Sequence, residues 1–270
     1  MTRSKFLLLA PLAAVTLAQG LLTESLAKDA AFASAVVKGA ASSARLLAAG
    51  PPQGGAYRAA VEIALDPQTV TYWRQPGEAG SPPAFDFSKS VNVAKVEPSF
   101  PVPKHIDEAG TVVAGYESRV VLPLTVTPRD SNAPVTLNLV LDYASCGKIC
   151  LPARADLSLE LPREGDSPHA AAIAEAERLV PKKLSAEEAK KRVALSRSGA
   201  DGSWRLRYLG PGKATDVFAE AAEPFFIEST RAGEVFELKL FSGDAPAKAA
   251  DATLTIITDA GAFEAPTRLE

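Results

Sequence analysis

A chain of 270 residues, 47% apolar and 23% charged, has a globular composition and room for about two domains. Its 29 Lys and Arg against 32 Asp and Glu leave a formal charge of −3, which argues against a polyanion-binding surface and so against nucleic acid as a partner. The two cysteines, Cys146 and Cys150, two histidines and single methionine all but exclude a multi-cysteine scaffold or a four-ligand Cys/His zinc site, and they permit at most one intrachain disulfide.

In chain order, Arg3 and Lys5 precede an apolar run from Phe6 to Ala18, and Ser25-Leu26-Ala27 supplies small residues where a signal peptidase reads them. That run, about 13 residues, falls short of the roughly 20 a membrane span needs. The sequence therefore predicts a secretory leader over 1–27, cleaved near Ala27, and no membrane span in the mature chain. An exported compartment permits a disulfide to persist.

From about Ser43 the pattern alternates with period 2. Tyr57, Ala59, Val61, Ile63 and Leu65 share one face, with Arg58, Glu62 and Asp66 on the other. The same alternation runs through Val120–Val126, Val135–Tyr143 and Ala155–Leu161, each predicting a half-buried strand. Turn-rich segments at Gln75–Pro83, Pro98–Pro103 and Pro128–Pro134 separate them. Short strands with Pro/Gly turns and little helix predict an all-β chain beginning with an immunoglobulin-like sandwich. Pro123 in mid-strand predicts an edge or a bulge. After Pro162, Ser167-Pro168 reads as the N-cap and first position of a helix over Ala170–Val180, and Ser185 with Glu188 as the capping box of a second helix ending at Arg192. Alternation returns at Trp204–Tyr208, Phe236–Leu240 and Leu254–Ile256. The expected organisation is a leader (1–27), a first β domain (43–162), a helical linker (163–194) and a second, smaller β domain (195–270).

Both cysteines fall in the connection Ala144–Ala153 between two predicted antiparallel strands, with Gly147 giving the turn its freedom. A structural staple is one reading. Closing a loop of about five residues, however, removes only roughly 2 kcal/mol of unfolded-state entropy, against about 4.7 for a 100-residue loop. A short-range disulfide in an accessible turn has the properties of an exchangeable one. Lys148 lies between the cysteines, where it favours a thiolate or is simply a solvated turn residue. No helix pattern follows Cys150, so the helix-dipole activation of a C-x-x-C motif is not expected. Two thiolates also offer a place for Cu(I), or part of a zinc site. Neither a Ser-His-Asp set nor a phosphate-binding glycine loop is readable.

The segments Leu141–Ala153 (LDYASCGKICLPA) and Thr71–Pro83 (TYWRQPGEAGSPP), with Gly115-Tyr116 ahead of Val120–Val126, resemble the N-terminal periplasmic domain of the DsbD family of protein-disulfide reductases and of the related suppressor-of-copper-sensitivity, ScsB-type, proteins. The resemblance covers about 43–162; residues 163–270 are only loosely similar to the second β domain of some relatives. It implies an immunoglobulin-like fold in which Cys146 and Cys150 are the redox pair, with Cys150 the site of the mixed disulfide. It also implies that Tyr72 and Tyr116 lie near the pair. The partners it implies are a thioredoxin-like domain of a membrane thiol reductase as electron donor and oxidised periplasmic proteins as acceptors, with no cofactor and no metal. Such a chain is a redox-active component of a reductase system rather than a stand-alone small-molecule enzyme. The family's aromatic cap has no counterpart in Asp107–Gly115, which holds no aromatic residue. Two other readings stand beside this one: a non-redox exported β-sandwich binding module with a structural disulfide, and Cu(I) handling by the reduced pair.

Overall fold

The computed structural model describes residues 29–77, 80–108, 110–198, 203–222, 225–242, 245–246 and 249–270. The expected leader lies outside the described residues. The first part of the chain contributes β1 (Val37–Gly39), β2 (Ser42–Ala48), β3 (Tyr57–Leu65), β4 (Val70–Tyr72), β5 (Ala84–Asp86) and β6 (Val93–Pro98). It continues with β7 (Lys104–Glu108), β8 (Thr111–Glu117), β9 (Arg119–Pro128), β10 (Thr136–Cys146) and β11 (Cys150–Glu160). One sheet runs β1-β2-β3-β9-β6 and the other β11-β10-β4-β8-β7, with β5 also on β10. Alternation decides what lies between them. Leu46, Val61, Ile63, Leu122 and Leu124 from the first sheet meet Leu137, Leu139, Leu141 and Leu157 from the second in one buried cluster. This is the all-β, immunoglobulin-like sandwich that the pattern predicts.

Pro123 is accommodated differently from the expectation. Its strand, β9, is interior, between β3 and β6. The β6 ladder ends where Pro98 meets Leu124, and the Ser99 N–H donates to the Pro123 carbonyl at 2.8 Å. The proline nitrogen therefore faces the side on which β6 has run out, where no strand needs its missing N–H.

α1 (Ala170–Arg178) lies on the outer face of the first sheet, where Ile173 is fully buried with Ala33, Leu47 and Ala60. The apolar Ala60, out of phase with its neighbours on β3, is explained by that second contact. The helix starts with His169 in the cap position and no side-chain cap, not at Ser167-Pro168. Ser167 Oγ is committed elsewhere, donating to the Ala48 carbonyl at 2.5 Å and accepting the His169 N–H at 3.0 Å. After β12 (Lys182–Lys183), α2 (Ala186–Arg192) carries the expected capping box between Ser185 and Glu188.

The rest is β13 (Val193–Ser198), β14 (Ser203–Tyr208), β15 (Ala214–Ala221), β16 (Phe225–Ala232), β17 (Val235–Ser242), β18 (Ala245–Pro246), β19 (Ala250–Thr258) and β20 (Gly261–Leu269). They form the sheets β12-β20-β19-β15 and β13-β14-β17-β16, with β18 on β17. A second buried cluster forms between these sheets, built on Trp204, Leu206, Phe236, Leu238, Leu254 and Ile256.

The two β units meet through a charged and aromatic contact. The Arg74 guanidinium donates to Glu220 at 2.5 and 2.8 Å and to Glu264 at 2.6 Å, and it lies 4.6 Å above the Trp73 ring. Trp73 packs edge-on against Phe218 at 5.6 Å, and Phe218 in turn stacks on His105 at 4.1 Å. Among the described residues no helix is long and apolar enough to cross a membrane.

Glu62, expected on a solvent face, is buried on β3 between Arg45 and Arg119. Burial alone would raise its carboxyl pKa, but the two guanidiniums outweigh it and hold the group below its ordinary 4.5. The folded protein thus binds fewer protons here than the unfolded chain, and the stabilisation is lost as pH falls through 4.5 toward the folded value. Glu62→Gln is expected to cost about 2 kcal/mol at pH 7. Urea unfolding at pH 7 and at pH 4 checks it: the gap between parent and variant narrows at the lower pH.

Candidate functional site: a cysteine pair closing a hairpin

β10 and β11 pair antiparallel without a break from Thr136↔Glu160 to Cys146↔Cys150. The cysteines are therefore the last and first residues of the two strands, not members of a ten-residue connection as the sequence predicts. Only Gly147-Lys148-Ile149 remain as turn, because the ladder keeps its register through Ala144↔Pro152 and Ser145↔Leu151 to the cysteines. The two sulfurs are bonded and their Cα atoms are 4.0 Å apart.

Even-numbered residues of β10 face away from the main core, and Cys146 shares that face with Ala144. Cys146 pairs with Val70 on β4, which brings Tyr72, two residues on, to the same face. Val113 and Ile106 arrive there from β8 and β7. Tyr72, Val113, Ala144 and Cys146 form a small buried cluster of their own, with Val70 and Ile106 packed against it. Opposite Tyr72 is Gly115. A Cβ there would meet the Thr71 carbonyl at 2.5 Å, so the close approach of β8 to β4 requires glycine.

The pair is asymmetric. Cys146 is 1% exposed, whereas Cys150 stands at the rim and is exposed. Around the sulfurs are two oxygen groups. The Tyr72 hydroxyl lies 2.8 Å from Cys146 Sγ, 3.4 Å from Cys150 Sγ and 2.7 Å from Glu108 Oε2. Glu108 Oε1 lies 2.9 Å from Cys150 Sγ. In the bonded state this sets a carboxylate against sulfur; once the bond is open, the Cys150 S–H is within reach to donate to it. Burial, helped by the Glu108 carboxylate, pushes the Tyr72 phenol pKa well above its ordinary value, so its hydroxyl stays protonated and remains a donor.

Of the residues singled out from sequence, Cys146, Cys150 and Tyr72 come together. Tyr116 does not join them: it pairs with Thr71, next to Tyr72 and so on the opposite face, and its hydroxyl donates to the Pro101 carbonyl at 2.7 Å within the main core. Lys148 is exposed in the three-residue turn. Glu108 is the residue that the sequence reading passed over. It occupies the stretch noted only for lacking an aromatic, where Ile106 and Glu108, two apart on one strand, share a face. What alternation alone does not say is that β7 lies two strands from β4.

An immunoglobulin-like sandwich with one exchangeable-type cysteine pair at a sheet end, buried on one sulfur and open on the other, defines a domain of the thiol–disulfide interchange class. Residues 40–162 match the family described as thiol:disulfide interchange protein DsbD, N-terminal. The match begins three residues before the resemblance seen in sequence and ends at the same Pro162. Among solved structures, the crystal structure of the N-terminal periplasmic domain of ScsB from Proteus mirabilis aligns with a TM-score of 0.67 at 20% identity. The alignment covers 88% of this chain and 98% of that one, so the shared fold extends through both β units. The comparison with curated proteins gives no match.

The single Tyr72 O–H is placed between Glu108 Oε2 at 2.7 Å and Cys146 Sγ at 2.8 Å; turned toward a Cys146 thiolate, it favours the charged sulfur. Tyr72→Phe is expected to move formation of the Cys146 thiolate to higher pH in the reduced protein. Thiolate absorbance against pH in a Cys150→Ser background measures it, and an unchanged titration would remove the hydroxyl from the site's chemistry.

Proposed function

We propose that the protein is a periplasmic thiol–disulfide carrier that takes electrons from the thioredoxin-like domain of a membrane thiol reductase and passes them to oxidised exported proteins. The observation that carries this reading is the asymmetry of the pair: an exposed Cys150 joined to a buried Cys146, with a carboxylate and a phenol at the sulfurs. The match of residues 40–162 to the DsbD N-terminal family supports it, as does the periplasmic origin of the similar ScsB domain. The leader over 1–27 and the division into a redox domain (43–162), a helical linker (163–194) and a second β domain (195–270) belong to the same proposal. Two buried clusters, the first also taking in Phe218 of the second unit, support that division.

In the reduced protein Cys150 gives its proton to Glu108, and the thiolate attacks one sulfur of an acceptor disulfide. A Cys150–acceptor mixed disulfide forms, and the first acceptor thiolate leaves and takes up a proton. Cys146, its thiolate stabilised by Tyr72, then attacks Cys150 Sγ. The Cys146–Cys150 bond closes and the second acceptor thiolate departs, so two electrons have moved. Recharging runs the same steps backwards with a dithiol donor attacking Cys150, the open sulfur. Ile149 and Leu151, 71% and 40% exposed, flank Cys150 and offer a partner an apolar rim.

Cys146→Ser is expected to accumulate a mixed disulfide through Cys150, and Cys150→Ser to trap little or none. Non-reducing electrophoresis of each variant from intact cells, with identification of the captured protein, is the measurement. Equal trapping by both variants, or by neither, would sink the assignment of roles.

A further inference from the structure

Reduction turns the pair into something the disulfide is not. It leaves two sulfur ligands facing each other across one β ladder, with a carboxylate already beside them. Glu108 Oε1, Cys146 Sγ and Cys150 Sγ lie within 4.8 Å of one another. We propose that the reduced protein binds one zinc ion, or a divalent cation of the same borderline softness, through Cys146, Cys150 and Glu108.

The donor set selects the cation. Two thiolates alone suit Cu(I), which is content with two soft ligands; a hard carboxylate oxygen as the third donor shifts preference to zinc, which accepts sulfur and oxygen together. Tetrahedral zinc with Zn–S of about 2.3 Å and Zn–O of about 2.0–2.2 Å places its ligand atoms roughly 3.5–3.8 Å apart. Opening the bond lets the sulfurs separate to such a distance by side-chain rotation, and Glu108 already sits on the Cys150 side. The Tyr72 hydroxyl, 2.7 Å from Glu108 Oε2, holds the carboxylate's other oxygen, the kind of outer contact that fixes a ligating group. Because Cys150 is exposed, the fourth position is left to water.

Binding releases one proton from each thiol and changes no oxidation state. It excludes the disulfide, since each sulfur's bonding pair is on the metal. When an acceptor disulfide oxidises the loaded protein, the two thiolates give up one electron each and the Cys146–Cys150 bond forms. The acceptor becomes two thiols by taking two protons from solvent, and the ion leaves with its charge unchanged. Zinc would thus protect the reduced pair and be released on discharge. This goes beyond the carrier role, and its test needs no exchange partner.

The test is anaerobic titration of the purified, pre-reduced protein with zinc chloride against a chromogenic chelator, with a parallel Cu(I) titration. The expected result is one zinc per chain, none in the oxidised protein, and an affinity at least tenfold lower in Glu108→Gln. Circular dichroism melts of the reduced forms show whether that variant folds. If it does not, X-ray absorption of the zinc-loaded parent decides: two sulfur and one or two oxygen neighbours support the site. The proposal is overturned by absence of zinc binding to the reduced protein, by equal binding to the oxidised protein, or by a folded Glu108→Gln of parental affinity. Cu(I) binding without zinc binding, or a shell lacking sulfur, overturns it as well.

Discussion

The antiparallel ladder between β10 and β11 determines where chemistry is possible in this molecule. Its register sets Cys146 opposite Cys150. A slip of one residue would carry one strand's entire apolar set to the wrong face and part the sulfurs at the same time. The register is fixed far from the cysteines, by Leu137, Leu139 and Leu141 against Leu159, Leu157 and Ala155, all buried in the sandwich core. The disulfide closes so short a loop that it adds only about 2 kcal/mol through chain entropy. The dependence therefore runs one way: the ladder holds the sulfurs together, and the sulfurs are not needed to hold the ladder. A pair held by its strands can open and close without the fold following it.

β7 gives a second constraint. It is the edge strand of the same sheet, and its alternation sends neighbouring residues to opposite faces. Ile106 and Glu108 go to the sulfur side. His105 goes the other way, stacking on Phe218 and approaching Asp216 Oδ1 at 3.2 Å. The edge strand that carries the carboxylate is thus pinned from behind by the second β unit, with the Arg74–Glu220–Glu264 cluster and the Trp73–Phe218 contact beside it. An aromatic stack of this kind contributes about 0.5–1.5 kcal/mol beyond burial, enough to bias the position of a short edge strand. The second unit has no cysteine, and its contribution to the site is this support.

Much of the sandwich was legible because its long strands obey period 2 without interruption: β3, β9, β10 and β11 each announce a buried face. The failures are local and have physical causes. Pro123 reads as an edge signal because proline lacks a donor, but the donor is dispensable wherever the adjacent strand has ended, and strand lengths are not written in any one strand. Ser167 reads as a cap because serine is a good one, yet its hydroxyl is captured by Ala48, 119 residues away in sequence. Ala60 and Glu62 sit on what alternation marks as the solvent face; a helix covers one, and two arginines surround the other. In the site, the cysteines were plain from their spacing, but the carboxylate was not. Glu108 becomes a neighbour of Cys150 only when β7, β8, β4 and β10 are laid side by side, an order that no local pattern encodes.

That order also explains why a pair lacking the helix dipole of C-x-x-C proteins need not be inert. A helix N-terminus stabilises a thiolate by partial positive charge. Here the Tyr72 donor does a similar service for the buried sulfur, while a carboxylate stands by the exposed one. With the bond open, that carboxylate lies within reach of the Cys150 S–H and offers its proton somewhere to go. Under the proposed carrier reading, a partner engages the pair by bringing its own disulfide to the open sulfur of Cys150. On that reading, an exposed sulfur with a proton acceptor beside it, backed by a buried sulfur with a donor, divides attack from resolution between two residues four apart in sequence. The ladder makes that division possible by turning one of them inward and leaving the other at the sheet's end.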